Sequence, residues 1–327
     1  MDNKKVIVAL SGGVDSAVAA ALLKKQGYQV AGVFLKLWPS FNEKQAQRVA
    51  KKLGIEFRVL NLRKEFKKKV VDYFLKNYKL GLTPNPCVVC NKEIKFGLLF
   101  KEIKADYIAT GHYARFQRGK LLMAKDKNKD QSYFLWKLNQ KILRRALFPI
   151  GDYAKSEVRK LARKFKLPVL DVPESQEICF IQTNIADFLK KYLKTKSGRI
   201  VDREGRVLGE HQGLWFYTIG ERKGIGIAGG PYYVLDKDVK KNILVVTKNE
   251  NDLYKKALIV KNINWISGKC PRFPLKIKAK IRYRHNPAPA VIQRNRIIFD
   301  KPQRAITPGQ SVVFYRGQEL LGGGIII

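Results

Sequence analysis

Three groups of residues in this chain could do chemistry. The first is Ser11-Gly12-Gly13-Val14-Asp15-Ser16, directly after the apolar run Val6–Leu10. Two glycines let a backbone approach an anion closely, and two serines add hydroxyl donors. A helix opening at this point aims its first amides at a phosphate. Asp15 repels phosphate, so its expected role is to hold Mg²⁺ beside a pyrophosphate. No Lys-Ser or Lys-Thr pair follows the glycines, which separates the loop from the Walker pattern. The second group is Cys87-Val88-Val89-Cys90, stiffened by Pro84 and Pro86 and flanked by Asn85, Asn91 and Lys92. A C-x-x-C pair suits redox work, metal binding or sulfur carriage, and a neighbouring Lys92 would favour thiolate. The third is Cys179, between the polar Glu174–Glu177 run and Phe180. A zinc site would need four N/S ligands, and besides the pair only Cys179 and His112 present themselves.

The elements around these groups must place them. Val6–Leu10 predicts a strand buried on both faces, and Ala17–Lys25 a helix ending near Gly27. Strands are expected at Gln29–Leu35, Ile55–Leu60 and Tyr107–Thr110, and helices at Glu43–Leu53 and Ile94–Lys104. Tyr153–Phe165 is amphipathic, with Val158, Leu161, Ala162 and Phe165 on one stripe. This alternation predicts an α/β fold: a Rossmann-like parallel sheet with helices on both faces over residues 1–196. Glycine then becomes frequent and helical periodicity fades, which sets a small central domain at 197–257. Short alternating strands at roughly ten-residue spacing predict a β-barrel at 258–327.

Composition narrows the partners. Lys+Arg number 65 against 27 Asp+Glu, a net charge of +38 over 327 residues. A lysine-rich surface accounts for part of this, but a polyanion is the leading partner class and an acidic partner-binding protein is excluded. Four cysteines are too few for a disulfide-stapled secreted scaffold and fit a reducing compartment. No apolar run of transmembrane length occurs, and the N-terminus is not a signal peptide, so a cytoplasmic location is expected.

The loop Ser11–Ser16 resembles the PP-loop of the N-type ATP pyrophosphatases. Further segments occur in the order seen in one branch of that superfamily: TPNPCVVCNKEIKF (83–96), ATGHYAR (109–115), KDQSYF (129–134), SQEICF (175–180), KIRYR (280–284) and TPGQSVVFY (307–315). Together they resemble the tRNA-specific 2-thiouridylases over essentially the whole chain. The resemblance implies an adenine nucleotide alpha hydrolase-like catalytic domain. It implies replacement of the C2 oxygen of a tRNA wobble uridine by sulfur, after adenylation by ATP with release of pyrophosphate. Ala9, Leu10, Ser11, Gly12, Gly13, Val14, Asp15, Ser16, Leu35 and Gly111 match ATP-binding positions. Cys90 matches the nucleophile and Cys179 the persulfide carrier. Asn85, Pro86, Cys87, His112, Lys129, Asp130, Gln131, Arg282, Tyr283 and Gln310 match tRNA-binding positions. Cys87 stands where a common form of the motif has aspartate. Three cysteines also admit a [4Fe–4S] cluster on Cys87, Cys90 and Cys179 as the alternative sulfur chemistry. The implied partners are tRNA and a sulfur-donor protein; Cys270 matches no role and is read as structural. Two rivals remain at this stage: a PP-loop ligase or amidating enzyme acting on a small metabolite, and a non-catalytic RNA-binding protein.

Overall fold

The computed structural model describes residues 4–169 and 178–327. Five strands, β1 (Lys5–Ala9), β2 (Gln29–Lys36), β3 (Glu56–Asn61), β4 (Tyr107–Ala109) and β7 (Ala146–Leu147), form a parallel sheet in the order β3-β2-β1-β4-β7. Alternation along β1 and β2 feeds two cores. Val6, Val8, Leu10, Val30 and Phe34 face the helices Val14–Lys25, Lys44–Leu53 and Lys155–Lys164. Ile7, Ala31, Val33 and Leu35 face the opposite layer, which holds Phe66, Phe74, Cys90 and Phe180. Helix Val14–Lys25 is buried almost all round, so its run of alanines serves close packing. The strand order turns between β1 and β4, and in an open α/β sheet ligands sit beyond the carboxyl ends of strands at such a point.

Two further units follow. Strands β8 (Gly198–Val201), β9 (Val207–His211), β10 (Tyr233–Asp238) and β11 (Ile243–Thr247) make a four-stranded sheet over their own core, which includes Ile200, Leu214, Val234 and Leu244. Strands β12 (Tyr254–Trp265), β13 (Leu275–Lys280), β14 (Ala288–Gln293), β15 (Arg296–Arg304), β16 (Ser311–Arg316) and β17 (Glu319–Ile326) form an antiparallel barrel, closed where β12 pairs with β17.

Sequence reading did not foresee one link. The hairpin β5 (Ala114–Gln117) and β6 (Lys120–Met123) leaves the parallel sheet and extends the barrel sheet, with Leu121 opposite Leu320 and Leu122 opposite Glu319. Side chains lock the same junction. Trp136 Nε1 donates to Ser311 Oγ at 3.0 Å, and Tyr133 OH donates to the Ser311 carbonyl at 2.8 Å. Gly323 lets the barrel strand approach, since a Cβ there would lie 2.8 Å from the Trp136 ring. The barrel and the segment Tyr133–Trp136 of the first unit therefore share buried polar contacts, in which a broken bond leaves an unpaired group.

Candidate active site and RNA face

The glycine–serine loop follows β1 and leads into helix Val14–Lys25. Gly12 has φ +84°, a backbone region that suits glycine, and Gly13 caps the helix with its backbone alone. The serines tie the loop from within. Ser16 Oγ donates to the Gly13 carbonyl at 3.1 Å and accepts from Ser11 N at 3.1 Å, while Ser11 Oγ accepts from Gly13 N at 3.3 Å. The helix N-terminus is thus held open toward the carboxyl end of the sheet, where its dipole favours an anion.

Across the turn in strand order, Gly111 follows β4. A Cβ at Gly111 would lie 2.6 Å from Ser16 N and 2.7 Å from the Asp15 carbonyl carbon. Only glycine permits that approach. Two residues on, Tyr113 OH donates to Asp15 Oδ1 at 2.8 Å, and the Lys155 ammonium meets the same oxygen at 2.7 Å. The carboxylate expected to take Mg²⁺ is therefore already engaged by an ammonium. Among the described residues no group of three or more His, Cys, Asp or Glu side chains is arranged to hold a metal ion. Leu35 lies in the core at 8% exposure, and Ala9 borders it.

The thiols come from two segments. Pro86–Cys90 is a short helix capped by Asn85, whose side chain accepts from Val88 N at 3.4 Å. It runs on as a π-helical stretch, Asn91–Leu98. Cys90 is buried, Cys87 half-buried and Cys179 exposed; all are free thiols. Burial pushes Cys90 up to about 12 and Cys87 up to about 11. Cys179 reaches solvent yet is crowded by protein, and that crowding raises it too. The charge on Cys179 raises both other thiols, so the three sulfurs lie within electrostatic reach of one another. One ammonium, Lys95, opposes all three shifts. The Lys92 expectation is corrected here: Lys92 pairs with Glu93 at 3.7 Å and lines a cavity of about 380 Å³ with Lys137, Asn139 and Asn264, at the barrel junction. Position 95 carries no isolated sequence signal. The π register explains it, because bonds from i to i+5 bring the fifth residue after Cys90 back toward the same side of the helix.

His112 joins the loop and the thiols. Its ring stacks on Phe96 with centroids 6.3 Å apart, and its Nδ1 is 2.8 Å from Thr110 Oγ1. Burial and Lys95 push its pKa well down, so the ring is neutral at pH 7.

Of the residues matched to tRNA contacts, Asn85, Arg282 and Tyr283 lie around Tyr133. Asn85 is within hydrogen-bonding reach of its hydroxyl. Gln310 Nε2 donates to the Thr83 carbonyl at 3.0 Å, and Gly309, at φ +92°, lets that barrel loop sit against Thr83. Tyr283 packs on Phe134 at 4.5 Å between centroids, and Arg282 donates to Thr307 Oγ1 at 3.2 Å and to the Ala305 carbonyl. Burial lowers Lys280 and Arg282 from their ordinary values, the expected effect on cations on a partly enclosed face. Asp130 differs from its neighbours. It is 2% exposed, and its carboxylate accepts from Ala124 N at 3.0 Å and Ser132 Oγ at 2.9 Å. Its carboxylate therefore holds the loop, and Gln131 accepts from Tyr113 N at 3.0 Å and ties this loop back to the one at Asp15. Pro86 is buried, Lys129 half-buried, and Cys270 exposed beside Pro271. Ser175–Glu177 of the third motif lie outside the described residues.

Sequence comparison gives the family. Family models described as a tRNA methyl transferase HUP domain, a tRNA methyl transferase PRC-barrel domain and an aminomethyltransferase beta-barrel domain match residues 4–183, 186–248 and 255–326. The tRNA-specific 2-thiouridylase MnmA of Clostridioides difficile is 47% identical over 355 residues, covering 99% of this chain and 98% of its own. That of Carboxydothermus hydrogenoformans is 47% identical over 362 residues, with the same coverage of 99% and 98%. The chain belongs to the tRNA-specific 2-thiouridylase family. Among solved structures, the U34-tRNA thiolase NcsA of Methanococcus maripaludis aligns over 54% of this chain and 62% of its own at 21% identity, with a TM-score of 0.36. In this 2-thiouridylase-family chain, Thr110–Tyr113 joins the glycine–serine loop at Asp15, the helical stretch that follows Cys90 at Phe96, and the loop at Gln131.

Proposed function

We propose that this chain forms 2-thiouridine at the wobble position of tRNA, using ATP to activate the base and a cysteine persulfide to supply sulfur, in the cytoplasm. The observation that carries the reading is the segment after β4. Gly111 packs on the glycine–serine loop, and His112 stacks beside the thiol helix, so adenylation and sulfur transfer can share one bound base. A base modified at C2 must leave its stack, and the aromatic face at Tyr283 with Arg282 and Lys280 suits the flanking RNA.

In this scheme the uridine C2 oxygen attacks the α-phosphorus of ATP and pyrophosphate leaves, stabilised by the loop amides and the serine hydroxyls. The terminal sulfur of a Cys179 persulfide attacks C2, and AMP departs with the former oxygen. The Cys90 thiolate then attacks the Cys179 sulfur, which frees the thiocarbonyl and leaves a Cys90–Cys179 disulfide. A two-electron reductant restores both thiols, and a sulfur-donor protein reloads Cys179. Mg²⁺ would neutralise pyrophosphate when bound with ATP; the protein's own groups at this point are Asp15, Ser11 and Ser16.

Domain roles follow. Residues 1–196 carry the chemistry, 197–257 and 258–327 hold tRNA, and the net charge of +38 supplies long-range attraction to phosphate. The test is Cys179→Ser with unmodified tRNA. Thiolation should vanish while tRNA-dependent pyrophosphate release persists. Retained thiolation overturns the assigned carrier, and pyrophosphate release driven by a small metabolite in place of tRNA overturns the substrate.

A further inference from the structure

Asp15 poses a problem. A carboxylate inside a phosphate-binding loop repels its ligand, and at 33% side-chain exposure it is not hidden. The structure answers with Lys155. Lys155 opens helix Lys155–Lys164, and its backbone N–H donates to Asp126 Oδ2 at 3.0 Å. The same helix start is held by Glu157, which accepts from Ala154 N at 2.6 Å. From this fixed base the lysine stem runs inward, with its side chain only 11% exposed. Its ammonium ends 2.7 Å from Asp15 Oδ1 and 5.8 Å from the centre of the Tyr113 ring. Tyr113 OH shares that oxygen at 2.8 Å. A largely enclosed lysine at this spot costs desolvation and side-chain freedom, and its ammonium is set beside the glycine–serine loop by that enclosure.

We propose that Lys155 is a further ATP-binding residue, whose ammonium, anchored on Asp15, contacts the β- and γ-phosphates at the glycine–serine loop. The inference rests on the reading that this loop takes ATP. It assigns to a protein cation a share of the charge neutralisation that Asp15 was expected to provide through Mg²⁺. Position 155 lies 140 residues from Asp15 in sequence and belongs to none of the motif segments, so only the fold joins them.

The test compares three probes, ATP, inorganic pyrophosphate and AMP, by calorimetry on the full chain, with wild type, Lys155→Gln and Lys155→Arg. In Lys155→Gln, ATP and pyrophosphate should bind roughly 10- to 100-fold more weakly, the scale of a lost hydrogen bond between charged groups. AMP, which lacks both distal phosphates, should bind within about twofold of wild type, which also shows that the variant is folded. Lys155→Arg keeps the charge and should recover most of the ATP affinity. Equal losses for ATP and AMP, or no loss for either, overturn the inference and leave the ATP reading standing. A wild-type chain that binds none of the three overturns the ATP reading itself.

Discussion

Gly111→Ala perturbs the junction on which the functional reading depends. The added methyl would sit 2.6 Å from Ser16 N and 2.7 Å from the Asp15 carbonyl carbon, where contacts below 3.0 Å are essentially never seen. All the nearest atoms are backbone of the loop's helix, so no flexible side chain can swing aside. Reaching an ordinary 3.4 Å contact requires 3.4 − 2.6, or 0.8 Å, of separation between β4 and the loop. Overpacking of this kind costs about 1–3 kcal/mol, which a chain with these cores can absorb. Chemistry is less tolerant: a displacement of about 1 Å in a positioned site lowers rate by about 100-fold. Gly111→Ala should therefore unfold cooperatively a few degrees below wild type while tRNA-dependent pyrophosphate release drops by about two orders of magnitude. The assay is a pyrophosphate-coupled rate at saturating tRNA beside a thermal melt. A rate within about threefold of wild type, with the melting temperature lowered as calculated, would refute the claim that this approach sets the loop for catalysis.

Three more outcomes follow. Lys95→Met removes the one ammonium that favours thiolate at all three cysteines, so their pKa values should rise further and alkylation by iodoacetamide at pH 8 should slow by about 3- to 10-fold, with Lys92→Met unchanged. Cys90 and Cys87 are raised from 9.0 to about 12 and about 11, so the protonated forms belong to the folded state. Their contribution is complete below pH 9 and fades as pH climbs toward 12, so the urea midpoint should fall across pH 9–10.5 less steeply in Cys90→Ala than in wild type. Ser311→Ala strands the Trp136 N–H at the barrel junction and should cost about 1–3 kcal/mol in chemical denaturation, with Ser311→Thr costing less if the hydroxyl is regained.

Much of the catalytic sheet was legible because its strands are short apolar runs set between amphipathic helices. Expected boundaries at Gln29–Leu35 and Glu43–Leu53 meet observed elements at Gln29–Lys36 and Lys44–Leu53. Such periodicity is local, and local patterns can be read one segment at a time. The hairpin β5–β6 could not be assigned to the barrel this way. A strand of four residues has the same alternation whichever sheet receives it, and its partner β17 lies some two hundred residues on. The site divides along the same line. The C-x-x-C pair with Cys90 and the loop at Asp15 imply chemistry by residue type, whereas Cys179 and Gly111 gain their roles only from the family resemblance. Lys95 and Lys155 are two among 65 basic residues, and nothing in their types distinguishes them.

What distinguishes them is the cost of where they sit. Lys155 is nearly enclosed against a carboxylate, and Lys95 is half-buried within reach of three thiols whose charged forms burial disfavours. A cation placed where water is scarce is worth more to a nearby anion than one on the open surface, because the effective dielectric is lower. Both positions thus concentrate positive charge where the proposed reaction generates negative charge: pyrophosphate at the glycine–serine loop and thiolate at the C-x-x-C helix. The exposed basic residues outside the face at Lys280 and Arg282 should share one signature, a steep loss of tRNA affinity with salt. Lys95→Met should leave that salt slope unchanged while altering thiol reactivity. A variant that changed the slope and not the reactivity would place Lys95 with the RNA face instead of the thiols.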